Sequence, residues 1–591
     1  MSMLMRGFSF VYIYYRLYVL FLSIFSASVF GIRICGGFKY SGIKKAVFMI
    51  MVLFFLDGIL CYTVYRLPLL QEEITISESE LEDGMDLSMI SGISSSHVFY
   101  AKPELKDADM DGSVFIQMPV GRYRSVYFAN GAETWEYELE DSSIYKVLGE
   151  CMMKIVISFV AGLIMAFLVF RVSAFSTERK GAIFSENIFG FLVFFFLMAQ
   201  FAFNRADQID SWTSCWYAAD YSMGMGPRFF VGSLLSLFYD DFLSRNLAYG
   251  FCVVSIVLLI MCVSFLVNCV VKHTEGCVAY AVKFLVVCFL CCPGSVLALW
   301  TEGQMGRLEM YTLLLSLTGV ILFHKIAYIG FRYFLITIVA VISMAIYQGY
   351  LFLYFPILAV VIICDISKNS KNSIRRWVYG GLSGIAACVA FLWFQFCSYV
   401  RYTDASSMVA ALSRKTDLYV EQEAVYYECF ATVIDAYKDI NTSFFLTNGE
   451  FPREKLFFTI FLLVPLCSMV LAIYWNCFSM IKVKQKKIIK APYLYCILVN
   501  MAVLPQFMLN VDWGRWFTAL VINVFFGILY MSYLEFSEMK STLGLFGGYI
   551  QQHKEAAIFC VLYLSSLDKF GARGFLRQVN ILWNAVYGWM H

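Results

Sequence analysis

The chain has 591 residues, of which 60% are hydrophobic, 18% aromatic and only 15% charged, and its mean hydropathy is +0.70. This composition excludes a soluble globular protein and is typical of a chain that crosses a membrane many times. The formal net charge of +2 gives no reason to expect a nucleic-acid partner, and membrane lipids are the surroundings that such a chain requires.

Apolar runs of nearly the length that crosses about 30 Å of hydrocarbon recur along almost the whole chain. Two of them, at residues 9–31 and 556–567, are ambiguous. The predicted fold class is an all-α polytopic membrane bundle of about 12–14 transmembrane helices. The predicted spans are 46–66, 151–170, 184–203, 247–271, 277–299, 308–324, 332–347, 350–364, 377–398, 456–480, 492–509 and 516–534.

Lys and Arg concentrate in alternate loops between these spans, for example in 33–45, 171–180, 368–376 and 482–490. The positive-inside rule places these loops in the cytoplasm. By alternation the remaining loops lie outside, and they hold nearly all of the acidic and unusual polar sequence.

The first long outside segment, 67–150, predicts a small β-rich extracytoplasmic module. Its stretches SVFIQM, RYRSVYF and TWEYELE alternate as a half-buried sheet requires, and Asn130-Gly131 favours a tight hairpin turn. The predicted organisation is therefore membrane segments in 1–66, the β-rich module in 67–150, a main bundle in 151–535 with outside loops 204–246 and 399–455, and a cytoplasmic or interfacial C-terminal segment in 536–591.

The nineteen cysteines lie mostly inside apolar runs, where they behave as small hydrophobic residues. Cys215 and Cys429 both fall in predicted outside loops, which leaves open a disulfide between them. We expect no metal site from the cysteines or from the five scattered histidines.

The densest polar sequence, NRADQIDSWTSCWYAADYSMGMGPRFFVGSLLSLFYDD, begins at residue 204 directly after a predicted span. Asp207 and Asp210 are three residues apart and would share one face of a helix, and Asp220 follows them. Glycines and a proline then interrupt the chain before Arg228. The pattern RFFVGSLLSLF is too short to span, so we predict a helix along the outer membrane surface. A solvated loop with tryptophans in the interfacial aromatic belt is the alternative.

Three other predicted outside turns also carry polar side chains at the membrane edge: LWTEGQMGRLEMY, IYQGYLFLYFP and VDWGRWF. Ionisable groups are unfavourable at this depth unless they are paired or used, so their convergence predicts a functional site. For Asp512 and Arg515, mutual neutralisation at a helix start explains the pair equally well. The polar residues of these turns are Glu302, Gln304, Arg307, Glu309, Tyr347, Gln348, Asp512 and Arg515.

Taken together, the acidic loop, GMGPRFFVGSLL, YQGYLFLYFP and DWGRW resemble bacterial polytopic proteins of polysaccharide assembly over roughly residues 180–535. The chain is similar to GT-C-type glycosyltransferases and O-antigen-polymerase-like proteins. The resemblance implies a multi-pass protein of the bacterial plasma (inner) membrane that uses a polyprenyl-phosphate or polyprenyl-pyrophosphate sugar donor and a glycan acceptor on the outer face. The N-terminal β-module departs from a minimal GT-C arrangement, and Gln348 stands where a histidine or glutamate is often expected.

Glycosyl transfer needs a carboxylate that takes the proton of the acceptor hydroxyl and positive charge that stabilises the departing phosphate. The GT-C pattern places an acidic residue in the first outside loop, and it matches Asp210, Asp207 or Asp220, of which Asp210 is favoured as the base. The predicted substrate-binding residues are Arg228, Glu302, Arg307, Gln348, Asp512 and Arg515. No cofactor or metal ligand is predicted, although a divalent cation would be compatible with this chemistry.

Two other functions fit the same pattern. The chain could be a transporter or flippase for a lipid-linked glycan or another envelope substrate, with the polar mouth at one end of the pathway. It could also be a non-catalytic scaffold of an envelope complex that binds through its β-module. A transporter usually shows internal repeats or helices broken near the midplane, and we find no convincing repeat in this sequence.

The topology can be tested with reporter-enzyme fusions. Fusions ended within 67–150, 204–246 and 399–455 should report an extracytoplasmic position, and fusions within 481–491 a cytoplasmic one, because Lys and Arg alternate in this way. A cytoplasmic 399–455 would contradict the topology and the site hypothesis together.

Overall fold

A computed structural model describes the main bundle and six strands of the preceding segment. Apart from those strands, the described residues are 182–206, 208–226, 228–301, 303–369, 373–431, 459–460, 462–483, 492–509, 512–567 and 569–571. The chain divides into two compact units, Phe55–Ala161 and the remainder. The predicted spans 46–66 and 151–170 and the ambiguous apolar segment 9–31 lie outside the described residues.

The smaller unit contains six strands that pair in two antiparallel sheets. Val114–Pro119 pairs with Gln71–Ile76 in one sheet. In the other, the order is Val98–Phe99, Ser91–Ser94, Ser125–Asn130 and Glu133–Glu138, and the last two strands pair across the predicted Asn130-Gly131 turn. A compact β-module over all of 67–150 stays a prediction, because the segments between the strands lie outside the described residues. The strands are β1 (Gln71–Ile76), β2 (Ser91–Ser94), β3 (Val98–Phe99), β4 (Val114–Pro119), β5 (Ser125–Asn130) and β6 (Glu133–Glu138).

The larger unit is helical, with one further pair of short strands. Its helices are α1 (Ala182–Asn204), α2 (Ser211–Ala218), α3 (Phe230–Leu235), α4 (Arg245–Lys272), α5 (Gly276–Cys291), α6 (Glu309–Lys325), α7 (Ile329–Ile346), α8 (Tyr350–Leu353), α9 (Phe355–Lys368), α10 (Ser373–Phe396), α11 (Ala405–Lys415), α12 (Gln422–Cys429), α13 (Val464–Val483), α14 (Pro492–Asn500), α15 (Gln506–Leu509), α16 (Trp513–Tyr533), α17 (Ser537–Gln552) and α18 (Lys554–Ser566). The strands are β7 (Gly224–Met225) and β8 (Tyr399–Val400).

Six helical segments within the described residues are long and apolar enough to cross a membrane. The outer face of α10 is an example of the surface that these helices present: Leu382, Ile385 and Val389 are each more than half exposed. A contiguous apolar face of this kind is stable against hydrocarbon and unfavourable against water. The chain is therefore an integral membrane protein with a helical bundle. The six segments are Arg245–Lys272, Gly276–Trp300, Ile329–Ile346, Ile374–Phe396, Val464–Ile481 and Trp513–Tyr533.

Helix α5 lies at the centre of the bundle. All its side chains from Tyr280 to Cys291 are buried, as expected for a helix whose faces are all apolar apart from the single charged residue Lys283. Helix α17 packs closely along it, and Gly547 permits the approach, because a Cβ at that position would overlap the carbonyl group of Cys277. We predicted 536–591 as a cytoplasmic or interfacial segment. Helix α17 lies in this segment and packs against α5 with part of its apolar face buried, and the cytoplasmic or interfacial position of 536–591 stays a prediction.

The two predicted outside loops pack on each other and form one unit. We call residues 208–226, 228–244 and 397–431 the loop cap. Strand β7 pairs with β8, Arg401 N–H donates to Met223 O at 2.9 Å, and Leu243 N–H donates to Lys415 O at 2.7 Å. Segments joined by backbone hydrogen bonds lie on the same side of the bundle, although nearly two hundred residues separate them.

The predicted surface helix differs from expectation. Only Phe230–Leu235 is helical, and its Val231, Gly232 and Leu235 are buried against the loop cap. Gly232 lies where a Cβ would overlap the carbonyl oxygen of Ala219. The segment therefore belongs to the loop cap, while Leu237 and Phe238, which follow the helix, are the strongly exposed apolar residues.

The contact of α17 with α5 can be tested at two adjacent glycines. Gly547→Ala should lower the thermal stability of the purified protein, because overpacking at a close helix contact costs about 1–3 kcal/mol. Gly548→Ala is the matched control: a Cβ there meets no atom within 4 Å, and alanine favours a helix by about 1 kcal/mol over glycine. Unfolding in detergent can be followed by a dye that reacts with the buried cysteines. Equal melting temperatures for the two variants would contradict the packing.

Candidate functional site

Asp210 occupies the position just before α2. Its backbone carbonyl accepts hydrogen bonds from Thr213 and Ser214 N–H, as at a helix start, and its own N–H donates to Met305 O at 2.7 Å. The carboxylate is directed to Arg307, with 3.1 Å between Oδ2 and Nη2, and both side chains are 9% exposed. The acidic loop and the turn after α5 are thus joined by a buried ion pair.

The turn that carries Arg307 depends on glycine. Gly306 has a φ of +82°, in the left-handed region that L side chains rarely adopt. Its carbonyl accepts a hydrogen bond from Tyr217 Oη at 2.6 Å, and the Gly303 carbonyl accepts one from Arg307 Nε at 2.9 Å. The backbone of this turn therefore orients the guanidinium group towards Asp210.

Arg515 lies in the first turn of α16 and forms ion pairs with two carboxylates. One guanidinium nitrogen contacts Asp512, and another contacts Glu309 in the first turn of α6. Nη2 also donates to Tyr347 Oη at 2.8 Å. The pairing with Asp512 that the sequence left open is present, and Glu309 and Tyr347 extend it across three helices.

Tyr347 lies between two cations. Arg228 Cζ is 4.8 Å and Arg515 Cζ is 5.6 Å from the centre of its ring. Cation–π contacts of this kind contribute about 0.5–2 kcal/mol, with the larger values at desolvated sites. Gln348, the next residue, accepts a long hydrogen bond of 3.5 Å from Arg228 Nε. The sequence YQGY therefore connects Arg228 of the loop cap to Arg515 of the bundle.

Arg228 forms an ion pair with a glutamate that the sequence did not indicate as a site residue. Its Nη1 lies 2.7 Å from Glu428 Oε1 on α12. The backbone of Arg228 has a φ of +67°, a conformation that costs a non-glycine residue about 1–3 kcal/mol. Strain of this kind is found at sites where the surrounding contacts fix one geometry.

Three of the four carboxylates in this cluster lie at helix N-termini. Asp210 precedes α2, Glu309 begins α6 and Asp512 precedes α16. The unpaired N–H groups and the helix dipole favour negative charge at these positions. We call Arg228, Arg307 and Arg515, with the carboxylates that pair with them, the arginine cluster.

A cavity borders the arginine cluster. Its lining includes Gln304, Arg307, Glu309, Arg515 and Thr518, and its volume is about 10 Å³, enough for about one water molecule. Two cationic and one anionic side chain thus face a common small space, whose remaining walls are largely apolar.

The structure brings together six of the nine predicted site residues: Asp210, Arg228, Arg307, Gln348, Asp512 and Arg515. Asp207 and Glu302 lie outside the described residues. Glu309 and Tyr347 were named from the sequence among the polar residues of the outside turns but were not assigned to the site. Their position within apolar sequence at the membrane edge was the signal that could have identified them. Glu428 was missed, because a glutamate in a polar loop gives no such signal.

Asp220 pairs with a lysine of the loop cap and not with an arginine of the arginine cluster. It accepts a hydrogen bond from Ser222 N–H at 2.7 Å, and Lys415 Nζ lies 2.8 Å from its other oxygen. Burial alone would raise the pKa of Asp220, but the hydrogen bonds from Lys415 and Ser222 hold it below its usual value. The contacts of this carboxylate join the two halves of the loop cap.

Trp216, Trp513 and Trp516, which belong to the predicted outside loop and turns, are all buried in the fold. Trp212 is partly exposed and stacks on Tyr427, with ring centres 6.3 Å apart.

Cys215 and Cys429 are free thiols, so the disulfide that the sequence left open is not formed. Burial raises the pKa of both, that of Cys429 to about 12. A thiol with so high a pKa stays protonated and unreactive at neutral pH. Among the described residues, no group of three or more His, Cys, Asp or Glu side chains is arranged to hold a metal ion.

Comparisons with protein-family models, with curated proteins and with solved structures gave no match to this chain. The site must therefore be interpreted from its own geometry.

Removal of Arg515 should destabilise the bundle. Arg515→Gln leaves Asp512 and Glu309 close together without their shared cation, and breaking a buried ion pair costs about 3–5 kcal/mol. Arg515→Lys should be intermediate, because one ammonium group cannot reproduce the geometry of the guanidinium fork. The measurement is the melting temperature in detergent.

Lys540→Gln is the control for this experiment. Its pair with Glu535 is more than half exposed on both sides, and such pairs contribute about 0–1 kcal/mol. A loss of stability no larger in Arg515→Gln than in Lys540→Gln would show that the arginine cluster is not required for folding.

Proposed function

We propose that the protein is a membrane glycosyltransferase or polymerase that uses a polyprenyl-phosphate- or polyprenyl-pyrophosphate-linked sugar on the extracytoplasmic face, in the assembly of a cell-surface polysaccharide. In this proposal the arginine cluster binds the phosphate of the donor at the membrane edge. The hydrocarbon tail remains in the lipid beside the bundle, and the glycan acceptor approaches from the loop cap.

The observation that carries the proposal is the convergence of three buried arginines from separate parts of the chain. Arg228 comes from the loop cap, Arg307 from the turn before α6 and Arg515 from α16, and the last two line the same cavity. Guanidinium groups remain ionised at this depth and match phosphate oxygens with two parallel hydrogen bonds. Each of the three arginines also pairs with at least one carboxylate, so in this proposal the donor phosphate competes with these carboxylates for the guanidinium groups.

In the proposed reaction, the acceptor hydroxyl oxygen attacks the anomeric carbon of the donor sugar. The bond from that carbon to the phosphate oxygen breaks, its electron pair stays with the phosphate, and Asp210 accepts the hydroxyl proton. Arg307 holds the Asp210 carboxylate in position, since its Nη2 lies 3.1 Å from Oδ2. Arg515 and Arg228 stabilise the charge that develops on the phosphate.

The transporter alternative is favoured by one observation. The segment from Pro492 to Leu509 is interrupted, since α14 ends at Asn500 and a 3-10 turn, Met501–Val503, precedes α15. Broken helices are typical of secondary transporters. In proteoliposomes, a transferase changes the mass of a lipid-linked glycan, whereas a transporter moves it across the bilayer unchanged.

The proposed base can be tested in cells. Mass spectrometry of lipid-linked and surface glycans from a deletion strain should first show which glycan disappears. Asp210→Asn also breaks the buried pair with Arg307, so its complementation is compared at an equal amount of protein in the membrane. At that level it should fail to restore the glycan, because general-base catalysis contributes about 100- to 10,000-fold.

Asp220→Asn is the comparison variant. It should lower the amount of folded protein, because the pair with Lys415 connects the loop cap, and any remaining protein should retain activity. Full complementation by Asp210→Asn would refute its role as the base.

A further inference from the structure

Glu428 differs from the other carboxylates of the arginine cluster in its position on a helix. Asp210, Glu309 and Asp512 lie at helix N-termini, where negative charge is favourable. Glu428 lies in the last turn of α12, which ends at Cys429. The carbonyl groups at a helix C-terminus disfavour a carboxylate by about 0.3–1 kcal/mol. The stability of α12 therefore does not explain why Glu428 is placed there.

The partner of Glu428 has the features of an anion-binding position. Arg228 directs Nη1 to the carboxylate, and its guanidinium group is held by the Tyr347 ring and by Gln348 Oε1. These contacts fix the cation and leave one edge of the fork to an oxyanion. Tyr347 also contacts Arg515, so the position adjoins the second cation of the cluster.

We propose that Arg228 binds a phosphate-type anion and that Glu428 occupies this position as a displaceable competitor. The inference rests on the proposed function, because it assigns the anion to the same arginine cluster. A carboxylate oxygen at 2.7 Å imitates one phosphate oxygen, whereas a diphosphate carries more negative charge and offers more oxygens to the guanidinium group. The anion therefore binds only as far as it outcompetes the Glu428 side chain.

The loop cap allows Glu428 to leave without unfolding. Its 397–420 part is held by β7 and β8, by the Leu243 to Lys415 hydrogen bond and by the pair of Asp220 with Lys415. None of these contacts involves Glu428. Its side chain is 19% exposed, compared with 6% for Glu309, so rotation into solvent is open to Glu428.

The test is isothermal titration calorimetry of the purified full-length protein with inorganic pyrophosphate. Glu428→Gln keeps the shape of the side chain and removes its charge, so the affinity for pyrophosphate should rise by about tenfold, within the range usual for coupled binding. Glu423→Gln is the matched control, because Glu423 is an exposed glutamate in the first turn of the same helix. The affinity of the Glu423→Gln variant for pyrophosphate should equal that of the unaltered protein.

A double-variant cycle assigns the effect to Arg228. Arg228→Gln should weaken pyrophosphate binding, and Glu428→Gln should give no gain in that background. If Glu428→Gln does not accumulate as folded protein, Glu428→Asp gives a second test, because its shorter side chain retracts the carboxylate from Arg228 and should also tighten binding. A short-chain polyprenyl diphosphate in a parallel titration distinguishes a lipid-linked anion, which should bind more tightly, from a free one.

Failure of this inference and failure of the proposed function would give different results. Pyrophosphate that binds the unaltered protein with the same affinity as it binds Glu428→Gln and Glu428→Asp would overturn the role of Glu428 and leave the proposed function standing. A gain of affinity in Glu428→Gln that persists without Arg228 would overturn it as well. Absence of pyrophosphate and polyprenyl diphosphate binding in every folded variant would overturn the proposed function together with this inference.

Discussion

The pairing of Arg515 with both Asp512 and Glu309 is the interaction on which this end of the bundle depends. A charge in a largely apolar surrounding is tolerated only where an opposite charge and hydrogen bonds satisfy it. Here the cation is shared between α16 and α6, and Tyr347 after α7 adds a third helix. The position of each helix end is therefore fixed by the same guanidinium group.

The loop cap extends this arrangement beyond the helices. Asp210 and Arg228 belong to it, yet their side chains reach Arg307 and Tyr347, which the bundle positions. Neither part contains a complete site. Because the loop cap is held together by its own backbone hydrogen bonds and by Asp220 with Lys415, it can present both residues as one rigid surface while Glu428 stays near the solvent.

The polar pattern of the sequence identified much of the site and little of its connectivity. Charged residues inside apolar turns, such as Arg307 and Arg515, were recognisable because hydrocarbon excludes unpaired charge. The role of Asp220 was not, since three acidic residues in one loop have the same local sequence context and only Lys415, far along the chain, separates this one from Asp210. The same holds for Glu428, whose partner Arg228 is two hundred residues away.

What the sequence by itself determined is the class of the protein and the location of its helices. The predicted spans from 184–203 to 516–534 coincide with described helices, because hydrophobic length is a local property. The exceptions are interruptions near residues 292–295, at Tyr354 and near 501–505, and the beginning of 456–480, where the described helix starts at Val464. The tertiary structure decided which tryptophans are buried, that α17 packs against α5, and which carboxylate each arginine contacts. These depend on helix packing and on long-range pairing, since a buried charge takes the partner that the fold brings within reach, and no local pattern specifies that partner.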